Sequence, residues 1–245
     1  MKKTVFFCLL TLNLFASPSA YEVIQKGEEV MRGKTSFSKV EIQIEKPRFT
    51  RSILLESYDS RDEDKFFIRI LEPKKDKNTT FLKIEKNLWQ YIPKIGKEIK
   101  IEASLLGDSW MGSDFTNDDL VKQSSIVDDY SQEFLESEDN AFYKIELLPK
   151  PGSTAPWSRI IIFSKKSDFL PVREEFYDFK GRLKKVMLLS DFKEMGGRVT
   201  PLKMEMQSIE NGEAVSKTVL IYQEIRFNLK IEDFIFTKAY LRKSK

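Results

Sequence analysis

The chain has 245 residues, with 41 basic and 38 acidic side chains, one cysteine (Cys8) and no histidine. With Cys8 confined to an N-terminal apolar run, this composition excludes disulfides, zinc sites built on Cys or His, cysteine nucleophiles and every triad with a histidine base. Lysine and glutamate are interspersed, and without Lys2 and Lys3 39 basic residues face 38 acidic ones. Nucleic acid, which needs a basic stripe, is therefore not an expected partner.

Lys2 and Lys3 precede an apolar run from Val5 to Phe15, and Ala16-Ser17-Pro18-Ser19-Ala20 follows. That is the plan of a secretory signal peptide, taken here as residues 1–20 and too short to span a bilayer as a mature helix. Cys8 leaves with it. No later stretch is apolar enough to cross a membrane as a helix. Residues 21–245 are expected to form a single exported domain.

Glu22 to Arg32 carries Val23, Ile24, Gly27, Val30 and Met31 on one helical face. Val40, Ile42 and Ile44 alternate with Glu41, Gln43 and Glu45 as a half-buried strand. Arg51–Tyr58, Lys65–Leu71 and Thr79–Lys86 continue the strand rhythm.

The next stretch changes character twice. Leu88, Trp89, Tyr91 and Ile92 form an aromatic strand that stops at Pro93, and Glu98 to Ile101 forms another after Gly96. Then comes Gly107-Asp108-Ser109-Trp110-Met111-Gly112-Ser113-Asp114-Phe115, with bulky apolar side chains at no helix or strand period. Trp, Met and Phe in a Gly-rich loop need something apolar to cover them, which makes this loop the candidate site. A short helix follows, capped by Thr116 or Asn117, with Asp118 and Asp119 in its first turn. Asp128 to Asn140 reads as an acidic loop or loose helix.

Six further strands are expected, 141–148, 158–165, 171–178, 182–192, 198–209 and 214–225, separated by turn signals. Asn211-Gly212 between two alternating runs is the clearest hairpin. Arg159–Phe163 and Val186–Leu189 are apolar on both faces, so the second face of the sheet must also be covered. Phe234, Ile235, Phe236 and Leu241 close the chain. The fold class is mainly β with a few helices: an antiparallel, strongly curved sheet with helices inside or across it.

Trp89-Gln90-Tyr91-Ile92-Pro93, Gly96, Trp110 to Phe115 and Asp118-Asp119-Leu120 resemble the signature of the outer-membrane lipoprotein-sorting family, the LolA/LolB-like periplasmic carriers. Phe176-Tyr177-Asp178 before Gly181, and Asp233-Phe234 before Phe236-Thr237, extend the resemblance over nearly the whole mature chain. The resemblance implies a half-open barrel of about eleven strands with a helical lid and an apolar hollow for acyl chains. It implies a non-enzymatic, cofactor-free periplasmic carrier of lipid or lipoprotein. The partner would be an inner-membrane exporter of the resistance-nodulation-division or mycobacterial-membrane-large type, or an outer-membrane acceptor. The family's lid-controlling arginine falls on Arg48, Arg51, Arg61 or Arg69. The expected ligand-binding set is Trp89, Tyr91, Trp110, Met111, Phe115 and Leu120, with Met suited to irregular apolar partners.

Two other readings compete. The same sheet without a ligand would serve as an interaction module of an envelope complex. A lipid hydrolase would use Ser109 or paired acids, but Ser109 has no histidine to activate it. Asp62-Glu63-Asp64, Asp118-Asp119 and Asp128-Asp129 match no calcium-loop spacing and read as solvated turns and helix starts.

Overall fold

The computed structural model describes residues 17–121 and 126–243. Most of the expected leader, Cys8 included, lies outside the described residues. Helix α1 (Ala20–Arg32) opens the fold, capped by a reciprocal pair: the Ser19 hydroxyl accepts from the Glu22 N–H, and the Glu22 carboxylate accepts from the Ser19 N–H. Val23, Ile24 and Gly27 face inward.

Two antiparallel meanders follow. The first is β1 (Thr35–Lys46), β2 (Phe49–Ser60), β3 (Lys65–Glu72), β4 (Thr80–Ile84), β5 (Asn87–Ile92) and β6 (Lys97–Ile101). A crossing segment carries α2 (Asn117–Val121) and α3 (Ile126–Asp129). The second meander is β7 (Tyr130–Leu135), β8 (Phe142–Pro149), β9 (Arg159–Lys165), β10 (Pro171–Tyr177), β11 (Leu183–Met195), β12 (Arg198–Glu210) and β13 (Glu213–Phe227). Strand β13 returns to pair with β1, Ile42 opposite Leu220. All thirteen strands thus form one unclosed sheet, ordered β6-β5-β4-β3-β2-β1-β13-β12-β11-β10-β9-β8-β7. The two edges, β6 and β7, are adjacent in sequence, so the chain must cross the open mouth between them. The candidate loop lies on that crossing.

The sheet exceeds the expected strand count because the acidic stretch after Asp128 is not a loop. It holds the end of α3 and the edge strand β7, with Glu133 opposite Glu146 and Leu135 opposite Lys144. An edge strand pairs on one side only, and charge there discourages further pairing, so acidity does not disqualify it. Thr116 proves to be the cap of α2: its hydroxyl accepts from the Asp119 N–H at 3.1 Å, and the Asp119 carboxylate accepts from the Thr116 N–H at 2.7 Å. Asn211-Gly212 makes the β12–β13 hairpin with both residues at positive φ, 51° and 85°, as a primed turn requires.

Strand alternation sends one set of side chains into the concave face. Val40, Ile42 and Ile44, Ile53 and Leu55, and Phe66, Ile68 and Ile70 form one packed cluster there. Ile145, Leu147, Ile160, Ile162, Phe176 and Met206 form another with Val23 and Ile24 of α1. The convex face is covered too. Behind β3 and β4, Phe67 and Leu82 pack against Phe236 and Leu241 from a 3-10 turn (Asp233–Phe236) and helix α4 (Lys238–Leu241). Behind β9, the buried Ile161 lies opposite Glu146 and Glu175, whose ion pairs with Arg159 and Arg173 lay long side chains over it.

Candidate functional site: a hollow beneath the first helix and the Trp110 loop

A hollow of about 320 Å³ lies between the concave face, α1 and the crossing segment. Ile24 and Met31 line it from α1, Val40, Ile42, Leu55 and Ile68 from β1 to β3, and Met187, Leu189, Met204 and Met206 from β11 and β12. The volume falls in the range of about 300–1,000 Å³ usual for small-molecule sites. Its walls are unbranched methionines and branched aliphatic side chains, adaptable surfaces for an apolar guest.

The crossing segment closes one side. Between Trp110 and Phe115 the loop folds on itself: the Trp110 N–H donates to the Phe115 carbonyl at 2.8 Å, and the Ser113 N–H to the Trp110 carbonyl at 2.9 Å. The turn runs through Met111 at φ 53° and Gly112 at φ 81°, the left-handed region that a methionine adopts only under constraint. Trp110 inserts against Phe81, ring centroids 5.5 Å apart, and Phe115 packs into the cluster on the other arm of the sheet. Six residues of loop therefore bridge both core clusters.

Asp114 pins the loop to the sheet. Its Oδ1 accepts from Lys46 Nζ at 2.6 Å, Ser208 Oγ at 2.6 Å and Ser216 Oγ at 2.5 Å, and its Oδ2 accepts from Thr218 Oγ1 at 2.7 Å. These partners come from β1, β12 and β13. Burial alone would push the Asp114 carboxyl up, but the four donors hold it below its ordinary value. Arg51 adds a second tie, donating to the Met111 carbonyl at 3.1 Å and pairing with Asp76. Of the four arginines left open by the sequence, Arg51 is the one that touches the loop; Arg69 is buried on the convex face, donating to the Lys243 carbonyl at 3.0 Å.

The expected ligand-binding residues are divided by the fold. Trp110, Phe115 and Leu120 line the hollow. Met111 packs beside Trp110 but does not line it. Trp89 and Tyr91 sit on the other side of the sheet with Phe67 and Leu82, and Lys238 lies 4.8 Å from the Trp89 ring. The alternation of β5 shows that Trp89 and Tyr91 share a face but not which face is concave. Trp157, from the loop before β9, lines the hollow and meets Phe176 at 5.6 Å. A lone tryptophan between prolines and serines carries no period to mark it. Ser109 donates its hydroxyl to the Ser113 carbonyl at 2.6 Å, serving the loop's own geometry.

The polar groups of the hollow are unevenly signed. Among the described residues, Glu28, Asp118, Asp119, Asp129 and Glu174 line it, against one basic residue, Arg32. Arg32 is held by Asp59 through contacts of 2.9 to 3.3 Å. Burial pushes both Glu28 and Glu174 up to about 7; Arg32 and Arg61 oppose this at Glu28, and the Glu28 charge adds to it at Glu174.

The model of a family described as "uncharacterized protein" matches residues 62–243, most of the chain. The chain belongs to that family. No curated protein matches it. Among solved structures it is similar to a DUF1329 family protein from Desulfovibrio piger (TM-score 0.79, 23% identity, 91% of this chain and 97% of that one). It is similar to a domain assigned as an outer membrane lipoprotein-sorting protein from Vibrio parahaemolyticus (TM-score 0.77, 21% identity, 91% and 98%). A LolA superfamily protein from Nitrosomonas europaea matches at TM-score 0.74 with 22% identity, over 91% and 100% of the two chains. The family member described here thus has the LolA-like fold, a curved, unclosed antiparallel sheet with short helices. No helix among its described residues is long and apolar enough to cross a membrane.

Proposed function

We propose that this protein is an exported, non-enzymatic carrier that shelters the acyl chain of a lipid or lipoprotein in the hollow and passes it between envelope components. The observation that carries the reading is the hollow itself, walled by aliphatic and methionine side chains beneath a loop tied down by Asp114. A folded protein fills such space unless it has an occupant. Withdrawing about twelve methylenes from water at about 0.8 kcal/mol each contributes roughly 10 kcal/mol before ordering costs. Release therefore needs a partner that opens the loop or offers a better hollow. An exporter of the resistance-nodulation-division or mycobacterial-membrane-large type would fill that role in the periplasm, reached through the N-terminal leader. The lipoprotein-sorting name of one similar structure and the LolA superfamily name of another agree with this reading.

The test is native mass spectrometry of the protein purified from the periplasm without detergent, followed by lipid extraction. The expected result is a stoichiometric extra mass that resolves into a lipid or acylated peptide. A clean apo mass, with no uptake of any single-chain amphiphile, would overturn the carrier in favour of a ligand-free interaction module.

A further inference from the structure

Resting on the carrier reading, the signs of the hollow bear on which head group it accepts. Glu174 belongs to the concave row of β10 and stands directly opposite Ile162 of β9 and Met187 of β11. A carboxylate between two apolar neighbours is costly to keep unless something answers it. Among the described residues neither Glu28 nor Glu174 makes a hydrogen bond or an ion pair, although both line the hollow.

The nearby cations are already engaged. Arg32, which also lines the hollow, is bound to Asp59 through Nε and Nη2, while its Nη1 is fully buried without a hydrogen-bond partner among the described residues. Arg61, which acts on Glu28 electrostatically, pairs with Asp62 at 3.5 Å. Lys185, above the Trp157 ring on β11, gives its ammonium to Asp119 at 2.7 Å. Among the described residues, carboxylates therefore outnumber cations on the α1–β10 side of the hollow, while Val40, Ile42, Leu55 and Ile68 supply an apolar wall on the other arm.

We infer that the hollow selects an amphiphile with an ammonium head group, seated between Glu28 and Glu174 with its tail toward β1 to β3, over one that ends in a carboxylate or phosphate. A cation there answers two carboxylates left without partners among the described residues. An anion meets their repulsion in a setting of low dielectric, where like charges cost most.

The experiment compares dodecylamine, dodecanol and dodecanoate as competitors of a neutral fluorescent alkyl probe at neutral pH. Tails of one length make the ratio of amine to acid affinity a reading of the head group alone. The expected ratio is about tenfold or more in favour of the amine. In the Glu28→Gln/Glu174→Gln double variant it should fall to within about twofold of unity. Glutamine keeps the shape and removes the charge, and a thermal melt checks the fold; Glu174→Leu, which suits the row between Ile162 and Met187, provides a second variant with the same expected loss of preference. A wild-type ratio at or below unity, or a preference that survives both variants, would overturn the head-group assignment while leaving the carrier intact. Failure of the wild-type protein to bind any of the three, dodecanol included, would overturn the carrier reading and this inference together.

Discussion

Lys46 donates its ammonium to the buried Asp114 carboxylate at 2.6 Å, tying the end of a central strand to a loop far along the chain. Three hydroxyls from the neighbouring strands complete the same carboxylate, so a single side chain determines where the loop sits. Asp114→Ala should lower stability by about 3 kcal/mol, because it strands Lys46 and three hydroxyls at once. Ser208→Ala should cost only about 1 kcal/mol. Urea unfolding measures both. The ionic part has a definite sign. Asp114 has a depressed pKa, so its contribution is present above the unfolded value of 3.8 and is lost as pH falls through the folded value. Asp114→Asn should remove that portion of the acid limb.

The three tryptophans report position. Trp110 and Trp157 line the hollow, and Trp89 lies behind the sheet. A brominated acyl chain should quench the fluorescence of the first two and spare Trp89, as read from single-tryptophan variants. Quenching of Trp89 alone would move the site to the convex face.

Glu28 and Glu174 make the opposite pH contribution to Asp114. Their folded values near 7 lie above the usual 4.5, so the folded state binds more protons between those values. Stability should fall as pH rises from about 4.5 to 7 and level off beyond it, by up to about 3 kcal/mol for Glu174. Thermal melts across this range should show the decline in the wild type and a flatter profile in Glu174→Gln.

Gly27 marks the closest approach of α1 to the β9–β10 turn. A Cβ there would stand 2.8 Å from the Phe169 carbonyl oxygen, a backbone atom that cannot swing aside. Gly27→Ala should cost about 1–3 kcal/mol despite alanine's better helix propensity. Displacing α1 should also weaken amphiphile binding, which a titration of the variant would measure.

On the convex face, Leu241 is fully buried and its carbonyl accepts from the Thr80 hydroxyl at 2.6 Å. Leu241→Ala should destabilise the protein by about 2–5 kcal/mol. Because the cluster lies behind the sheet, amphiphile affinity measured on the folded fraction should hold.

Local periodicity by itself determined much of this protein. The alternation in Val40 to Ile44, the Asn211-Gly212 turn and the apolar face of α1 each depend on neighbours within a few residues, and each appears in the structure where the pattern places it. The loop from Trp110 to Phe115 was legible as an anomaly, since apolar side chains without a period need a cover. What covers them was not legible. Asp114 finds Lys46, Ser208, Ser216 and Thr218 only because β13 returns to β1 and brings residues about a hundred positions apart to one end of the sheet. The same closure decides which face of β5 is concave, and so sends Trp89 and Tyr91 away from the hollow while admitting Trp157. It also sets Glu174 between Ile162 and Met187, where a residue that reads as an ordinary surface charge becomes a carboxylate facing an apolar hollow. A strand's alternation shows which side chains share a face; only the curvature of the whole sheet decides which face is inside.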